Sequence, residues 1–126
     1  MEISKQAIFR KVLEQLRRRV TDIQAVIFVG PDGVVDQMVE DPSLDMETIV
    51  GEYITLLHIA RSASEDSGAG DLVENIVVSE RSIMIARSIS TEHYLILLSK
   101  SQDQIGRARY ELKKAARELG NSGSDG

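Results

Sequence analysis

AVIFVGPDGVV, residues 25–35, is the stretch that decides how this chain folds. Two apolar runs flank a short segment with two glycines, which in a protein either cradles a phosphate or forms a tight turn. Pro31, Asp32 and Gly33 suit a type I turn that begins with proline and is followed by a glycine, which tolerates a positive φ. The P-loop pattern G-x-x-x-x-G-K-[ST] is absent, and a dinucleotide-binding loop would lead into a helix rather than a second strand. The stretch therefore predicts a β-hairpin.

Hydrophobic periodicity outward from this hairpin predicts three helices and five strands. Apolar residues recur every three to four positions in the helical segments, and short apolar runs mark the strands. A polar linker is expected at 62–71, a capping box from Ser101 to Gln104, and a helix stop at Gly120. The predicted helices span residues 4–20, 45–61 and 105–119, and the predicted strands span residues 24–29, 34–39, 72–79, 82–89 and 94–99.

The order α-β-β-α-β-β-β-α predicts an α+β fold. A five-stranded antiparallel sheet is expected between helix 2 on one face and helices 1 and 3 on the other. The connections between the last three strands are too short for parallel crossovers, so these strands are expected to be antiparallel. Residues 1–120 are predicted to form one domain, and residues 121–126, NSGSDG, a disordered tail.

Helix 2 has an unusually wide apolar surface. On a helical wheel its apolar side chains cover about 160°, whereas about 100° suffices to pack on one sheet. The excess has two interpretations: a deeply buried helix in a monomer, or a helix that packs on its own sheet and on another protein. The sequence leaves both open and does not assign residues to either side. The candidate contact residues of this helix are Ile49, Val50, Tyr53, Ile54, Leu57 and Arg61.

The net charge of −5 hides a strong asymmetry along the chain. Residues 20–80 contain 13 acidic side chains and one basic side chain, Arg61, whereas the rest of the chain contains 14 basic and 7 acidic ones. If the fold separates these segments, helix 2 lies on an acidic face and helices 1 and 3 lie on a basic one. A different wrapping of the chain would blur that polarity.

No set of residues predicts catalysis by the chain itself, a metal site or a bound cofactor. There is no cysteine, and His58 and His93 have no neighbours at metal-ligand spacing. With two Phe, three Tyr and no Trp, the chain lacks the aromatic platform that binds single-stranded nucleic acid. No membrane partner is expected, since no run approaches the roughly 18 apolar residues of a spanning helix. The sequence favours a non-enzymatic interaction protein.

The strand at residues 72–79 is the candidate for self-association. An edge strand presents unpaired backbone groups and often recruits a second copy of itself. This run contains no Pro and is rich in Val and Ile. Pairing across a twofold axis would bury the edge and bring two second helices together. The predicted dimer seam consists of Val73, Ile76 and Val78.

Three segments together resemble the roadblock family, which is named for a dynein light chain. They are the hairpin AVIFVGPDGVV, the region GDLVENIVVSERSIMIARSIS, and the closing strand and helix YLILLSKSQDQIGRARYELKKAARELG. The resemblance covers about residues 4–119 and points to prokaryotic members of the gliding-motility type. It rests on the order and spacing of the three segments, since each alone is only moderately specific.

The resemblance implies a homodimer or heterodimer that joins two sheets and places the paired second helices on one face. It further implies a small Ras-like GTPase as partner, whose GTP hydrolysis is stimulated by reshaping its active site without an arginine finger. The leading hypothesis is a cytoplasmic homodimer that binds such a GTPase. Two alternatives stay open. One is a scaffold for signalling or motility complexes that leaves hydrolysis unchanged. The other is a protein whose basic helices 1 and 3 contact anionic lipid or an acidic partner.

Overall fold

The computed structural model describes residues 4–121, and its elements follow the predicted order. From residue 122 onward the predicted tail lies outside the described residues, as do residues 1–3. The helices are α1 (Lys5–Arg19), α2 (Met46–Asp66) and α3 (Ile105–Asn121), and a 3₁₀ turn at Gln102–Gln104 precedes the last. The strands are β1 (Ile23–Gly30), β2 (Gly33–Val39), β3 (Glu74–Val78), β4 (Ile83–Ser90) and β5 (His93–Ser99).

The five strands form one sheet in the order β2-β1-β5-β4-β3, and every neighbouring pair is antiparallel. This confirms the predicted α+β fold. The chain leaves the sheet at the β2 edge and re-enters it at the opposite, β3 edge, so α2 has to cross the sheet. Five strands about 4.8 Å apart need a crossing of roughly 20 Å, and 21 helical residues at about 1.5 Å each span it.

Two separate hydrophobic layers cover the two faces of the sheet, because successive side chains of a strand point to opposite faces. Val26 and Phe28 of β1 pack under α1 and α3, and Ala25 and Ile27 of the same strand pack under α2. Both faces of β1 are therefore covered, as its unbroken apolar run predicts. The placement of α2 alone on one face, opposite α1 and α3, is confirmed.

The GPDG segment forms the predicted hairpin turn. Gly30 pairs with Gly33 across the end of the β1–β2 ladder, and Pro31 and Asp32 form the turn between them. Gly33 has a φ of 120°, a backbone region that favours glycine. The register shifts just after the turn, because Val35 is an extra residue in β2 that faces no partner in β1.

Helix α2 is longer than predicted, and the linker is shorter. The sequence SASED, residues 62–66, was expected in the linker on composition but continues the helix. Ser costs a helix only a few tenths of a kcal/mol, and Ala and Glu favour it. The helix ends where Gly68 adopts a φ of 84° and its N–H bonds to Glu65 O, which is a typical glycine C-terminus.

The predicted capping box and helix stop of α3 are both wrong. Ser101 makes no side-chain capping bond, and the Gln104 carboxamide instead accepts a hydrogen bond from Thr21 N. Helix α3 also runs through Gly120. A Cβ on Gly120 would stand 3.1 Å from Ile89 O, so this glycine permits close packing on β4 rather than ending the helix.

A hydrogen-bond cluster around Asp41 fixes the loop between β2 and α2. The Asp41 carboxylate accepts bonds from Ser43 Oγ, Ser43 N and Gln24 Nε2, and Lys100 Nζ lies 3.7 Å away. These bonds, those from Ser43 foremost, lower the pKa of Asp41 to about 2. The loop that launches α2 is thereby tied to β1 and to the end of β5.

Two glycine substitutions are predicted to have opposite effects on stability. Gly33→Ala is expected to destabilise the fold by about 1 kcal/mol, because alanine is strained at a φ of 120°. Gly51→Ala is expected to stabilise it by about 0.5–1 kcal/mol, because Gly51 lies exposed inside α2. No atom stands within 4 Å of either new Cβ, so urea unfolding compares backbone effects alone. A loss of stability in both variants would contradict this reading of the turn.

Candidate interaction surface

A single helix, α2, packs on one face of the sheet, and most of its apolar side chains remain partly exposed. Leu57, at the centre of the contact, is only 2% exposed and is the one fully buried side chain of α2. Small side chains beneath it, Ala25 and Ala86, let the helix approach the sheet. The remaining apolar residues of the predicted arc touch this core but stay half-exposed, and they are Met46, Ile49, Val50, Tyr53, Ile54 and Leu56.

The wide apolar arc of α2 thus divides into two sides. Leu57 faces the sheet, whereas Ile59 points away from it with 62% of its surface exposed. Ile49, Val50, Tyr53 and Ile54 lie along the margins between these extremes. Burial raises the pKa of the Tyr53 phenol. A helical wheel of α2 does not distinguish the residues that face the sheet from those that face outward, because that distinction depends on the strands beneath the helix.

Arg61, the only basic residue of α2, is held in place at the turn end of the sheet. Its Nη1 donates a 2.9 Å hydrogen bond to Thr91 O in the β4–β5 turn. The guanidinium also lies beside Tyr94, where burial raises the pKa of the phenol and Arg61 opposes that rise. Arg61 therefore ties the second half of α2 to the sheet instead of extending freely.

A small cavity of about 90 Å³ opens beside Arg61. The first hairpin contributes Gly30 and Pro31 to its wall, so the stretch that sets the fold also borders this surface. The apolar part of the wall comes from Ile54, Leu57 and the buried Tyr94 ring. Tyr94 is a residue that the sequence did not single out, since its role depends on pairing between β5 and β1.

Strand β3, the second part of the surface, lies at an open edge of the sheet. Val73 and Val78 are 53% and 56% exposed, while Ile76 is half-buried against the core under α1 and α3. In the described part of the chain, no side chain bonds to the outward backbone groups of residues 75–78. The predicted seam residues therefore occupy an edge that is free to pair.

The opposite edge, β2, is blunted in ways that β3 is not. The extra residue Val35 interrupts its ladder, and Gln6 Nε2 donates a 3.2 Å bond to Val35 O. Arg10 bonds to Asp36 at 2.6 Å alongside. Bulges and charged side chains are the usual protection of an edge strand against pairing.

The charges separate by face only in part. Helix α2 carries four acidic side chains and one basic one, whereas α1 and α3 together carry eleven basic and three acidic ones. Three acids of the middle block nevertheless pair with the basic layer along its flanks. These pairs are Arg10–Asp36, Arg17–Glu40 and Arg109–Glu74. The predicted polarity therefore holds for the helices but is blurred at the sheet edges.

The described residues contain no group of three or more His, Cys, Asp or Glu side chains that could hold a metal ion. Within residues 4–121, none of the helices has the length and apolar character needed to cross a bilayer. What this part of the chain offers is a surface: a half-covered helix beside an open strand.

The strand order, the lone α2 and the paired α1 and α3 define a roadblock-type domain. Solved structures agree. MglC from Myxococcus xanthus is 30% identical, over 89% of this chain and 96% of that one, with a TM-score of 0.61. The gliding protein MglB from Thermus thermophilus is 13% identical, over 100% and 96%, with a TM-score of 0.83. A Roadblock/LC7 domain from Streptomyces avermitilis is 18% identical, over 86% and 92%, with a TM-score of 0.73.

The chain belongs to the roadblock family and has the fold of MglB- and MglC-like proteins. No family model matches its sequence, and no curated protein matches it significantly. Its membership is thus more visible in the arrangement of helices and strands than in the residues themselves.

The two sides of α2 are predicted to respond differently to truncation. Leu57→Ala removes a buried side chain and is expected to destabilise the fold by about 2–4 kcal/mol. Ile59→Ala on the same helix is expected to change stability by less than about 0.5 kcal/mol, because Ile59 is exposed. Urea unfolding at low protein concentration measures both. Equal losses would contradict the assignment of Leu57 to the sheet side and Ile59 to the outer side.

Proposed function

We propose that the chain is a homodimeric regulator or adaptor that binds a small Ras-like GTPase through α2 and stimulates its GTP hydrolysis. The observation that carries the proposal is that the open edge strand β3 lies on the same side of the molecule as the partly exposed helix α2. Both features leave apolar or hydrogen-bonding groups without partners in a single copy, and both lie on one continuous side of the molecule.

The dimer follows from the difference between the two sheet edges. Antiparallel pairing of β3 with β3 of a second copy would satisfy the outward backbone groups and cover Val73 and Val78. Glu74 would not oppose this, because Arg87 and Arg109 already neutralise it. A twofold axis normal to the sheet keeps the faces aligned, so both α2 helices would lie side by side.

A similar structure also supports self-association, since it is of MglB with a tetrameric arrangement. At least one protein of this fold therefore forms assemblies of several chains.

The GTPase partner is proposed from the roadblock resemblance and from the chemistry of α2. Ile59 and the half-exposed margin residues of α2 provide an apolar patch, and the helix itself carries net negative charge. Such a patch fits a partner with apolar anchors and a basic rim. Arg61 is held by Thr91 and Tyr94, so a stimulating effect would act by positioning the partner's own residues. A cytoplasmic location is part of the same proposal.

A single lysine introduced at the β3 seam is predicted to weaken the dimer. Val78→Lys places two like charges at the paired edge and is expected to raise the dimer dissociation constant by at least about tenfold. Val39→Lys, at a comparably exposed position on the β2 edge, is expected to leave it unchanged. Sedimentation velocity over a concentration series measures both. A wild-type chain that remains monomeric at micromolar concentration would overturn the dimer.

A single-turnover measurement of GTP hydrolysis distinguishes a regulator of the GTPase from a scaffold that binds it without changing the rate. A cognate small GTPase loaded with GTP is expected to hydrolyse it at least about tenfold faster with the wild-type chain, and more slowly with Val78→Lys than with Val39→Lys. Binding with an unchanged rate would replace the regulator by a scaffold for signalling or motility complexes. Absence of binding by dimeric protein would contradict the GTPase partner while leaving the dimer intact.

A further inference from the structure

The outer surface of the α1–α3 layer is strongly basic. Cationic side chains project from it into solvent on both helices, and the acids on the same surface are only Glu14 and Glu118. The third acid of the two helices, Glu111, is buried between them. The outward cations are Lys11, Arg18, Arg107, Lys113, Lys114 and Arg117.

These outward cations differ from the cations on the flanks of the same layer. Arg10, Arg17 and Arg109 reach down to acids of the sheet. Within the layer itself, Lys11 pairs with Glu118, and Arg107 and Lys114 pair with Glu111. Among the described ion pairs, none involves Arg18, Lys113 or Arg117. The acidic middle block therefore neutralises the rim of the layer and leaves the outer surface charged, although the whole chain is acidic.

Two further features of this surface suit a phosphate-bearing layer. Tyr110 is 58% exposed at its centre, with the Lys114 ammonium 5.2 Å from the ring centroid. A groove of about 210 Å³ beside α3 is lined by Arg87, Lys113 and Arg117 and by no acid. An exposed tyrosine among cations is typical of side chains that lie at a bilayer interface.

We propose that the outer α1–α3 surface docks onto an anionic lipid bilayer, with the cations meeting lipid phosphates and Tyr110 lying at the headgroup level. The cations are spread over the outer surface of two helices, so they suit a partner with negative charge spread over a similar area. The headgroups of an anionic bilayer provide such a partner. A protein partner would need the apolar anchors that this surface lacks, except for Tyr110. The interaction is peripheral and needs no spanning helix.

This inference goes beyond the proposed function and is independent of it. The lipid surface lies on the opposite side of the sheet from α2, so a bilayer and a protein partner could be bound together. In a dimer joined at β3, both basic layers would face the same side, and two contacts would act as one bivalent contact. The net charge of −5 conceals this surface, and the sequence offers lipid contact by helices 1 and 3 only as an alternative.

Vesicle co-sedimentation with charge-matched variants tests the proposal. Wild-type protein is expected to bind vesicles of phosphatidylcholine with about 30 mol% phosphatidylglycerol, and not vesicles of phosphatidylcholine alone. Arg117→Glu is expected to lower the partition coefficient by at least about fivefold. Arg81→Glu changes net charge equally at an 88% exposed turn position off this surface, and is expected to have little effect. Sedimentation without lipid shows whether each variant keeps its oligomeric state.

A fluorescence experiment tests the orientation, because the chain contains no tryptophan. Tyr110→Trp is expected to give a blue-shifted emission on anionic vesicles, and Ile59→Trp, on the opposite side, is expected to give none. Millimolar inorganic phosphate is expected to compete poorly, because a free anion engages one site rather than the whole surface.

Three results would overturn the proposal. They are no binding to anionic vesicles at low salt, equal weakening by Arg117→Glu and Arg81→Glu, and a blue shift in Ile59→Trp but not in Tyr110→Trp. Binding to polyglutamate without binding to vesicles would assign the surface to an acidic protein instead. Full displacement by millimolar phosphate would reduce it to a free-anion site. None of these results bears on pairing at β3 or on GTP hydrolysis, so the two proposals fail separately.

Discussion

A single helix has to cover one complete face of a five-stranded sheet, and the rest of the structure depends on that constraint. The opposite face has two helices and a fully packed core. On the α2 face only Leu57 reaches full burial within the helix, and its apolar neighbours remain half-exposed. Covering apolar surface of this kind is favourable, and the proposed dimer and partner contact both rest on that.

The two sheet edges and the two helical faces differ in the groups that they expose. Edge β2 is closed by a bulge and by side chains of α1, whereas β3 presents free backbone groups beside α2. Acids gather on α2, and exposed cations gather on the outer side of α1 and α3. A molecule arranged in this way can pair through one edge, bind a protein on one face and meet an anionic surface on the other.

Most of the fold could be predicted from the sequence, because periodicity and turn chemistry are local. The GPDG hairpin, the element order and the lone α2 all follow from such signals. The errors occur where tertiary contacts decide. Helix α2 passes through Ser62 because nothing stops it before Gly68. Gln104 bonds to Thr21 rather than capping α3, and Gly120 serves the contact with β4. For the site, the sequence identified the apolar arc, but only the strands beneath it separate Leu57 from Ile59.

Pairing of β3 with a second copy can be measured by amide hydrogen exchange as a function of protein concentration. Pairing at β3 protects the outward amides of residues 74–78 only when two chains meet. Their protection is therefore expected to rise with concentration, while the amides of β2 exchange at a constant rate. Protection of β3 that does not change with concentration, or that changes equally in β2, would contradict it.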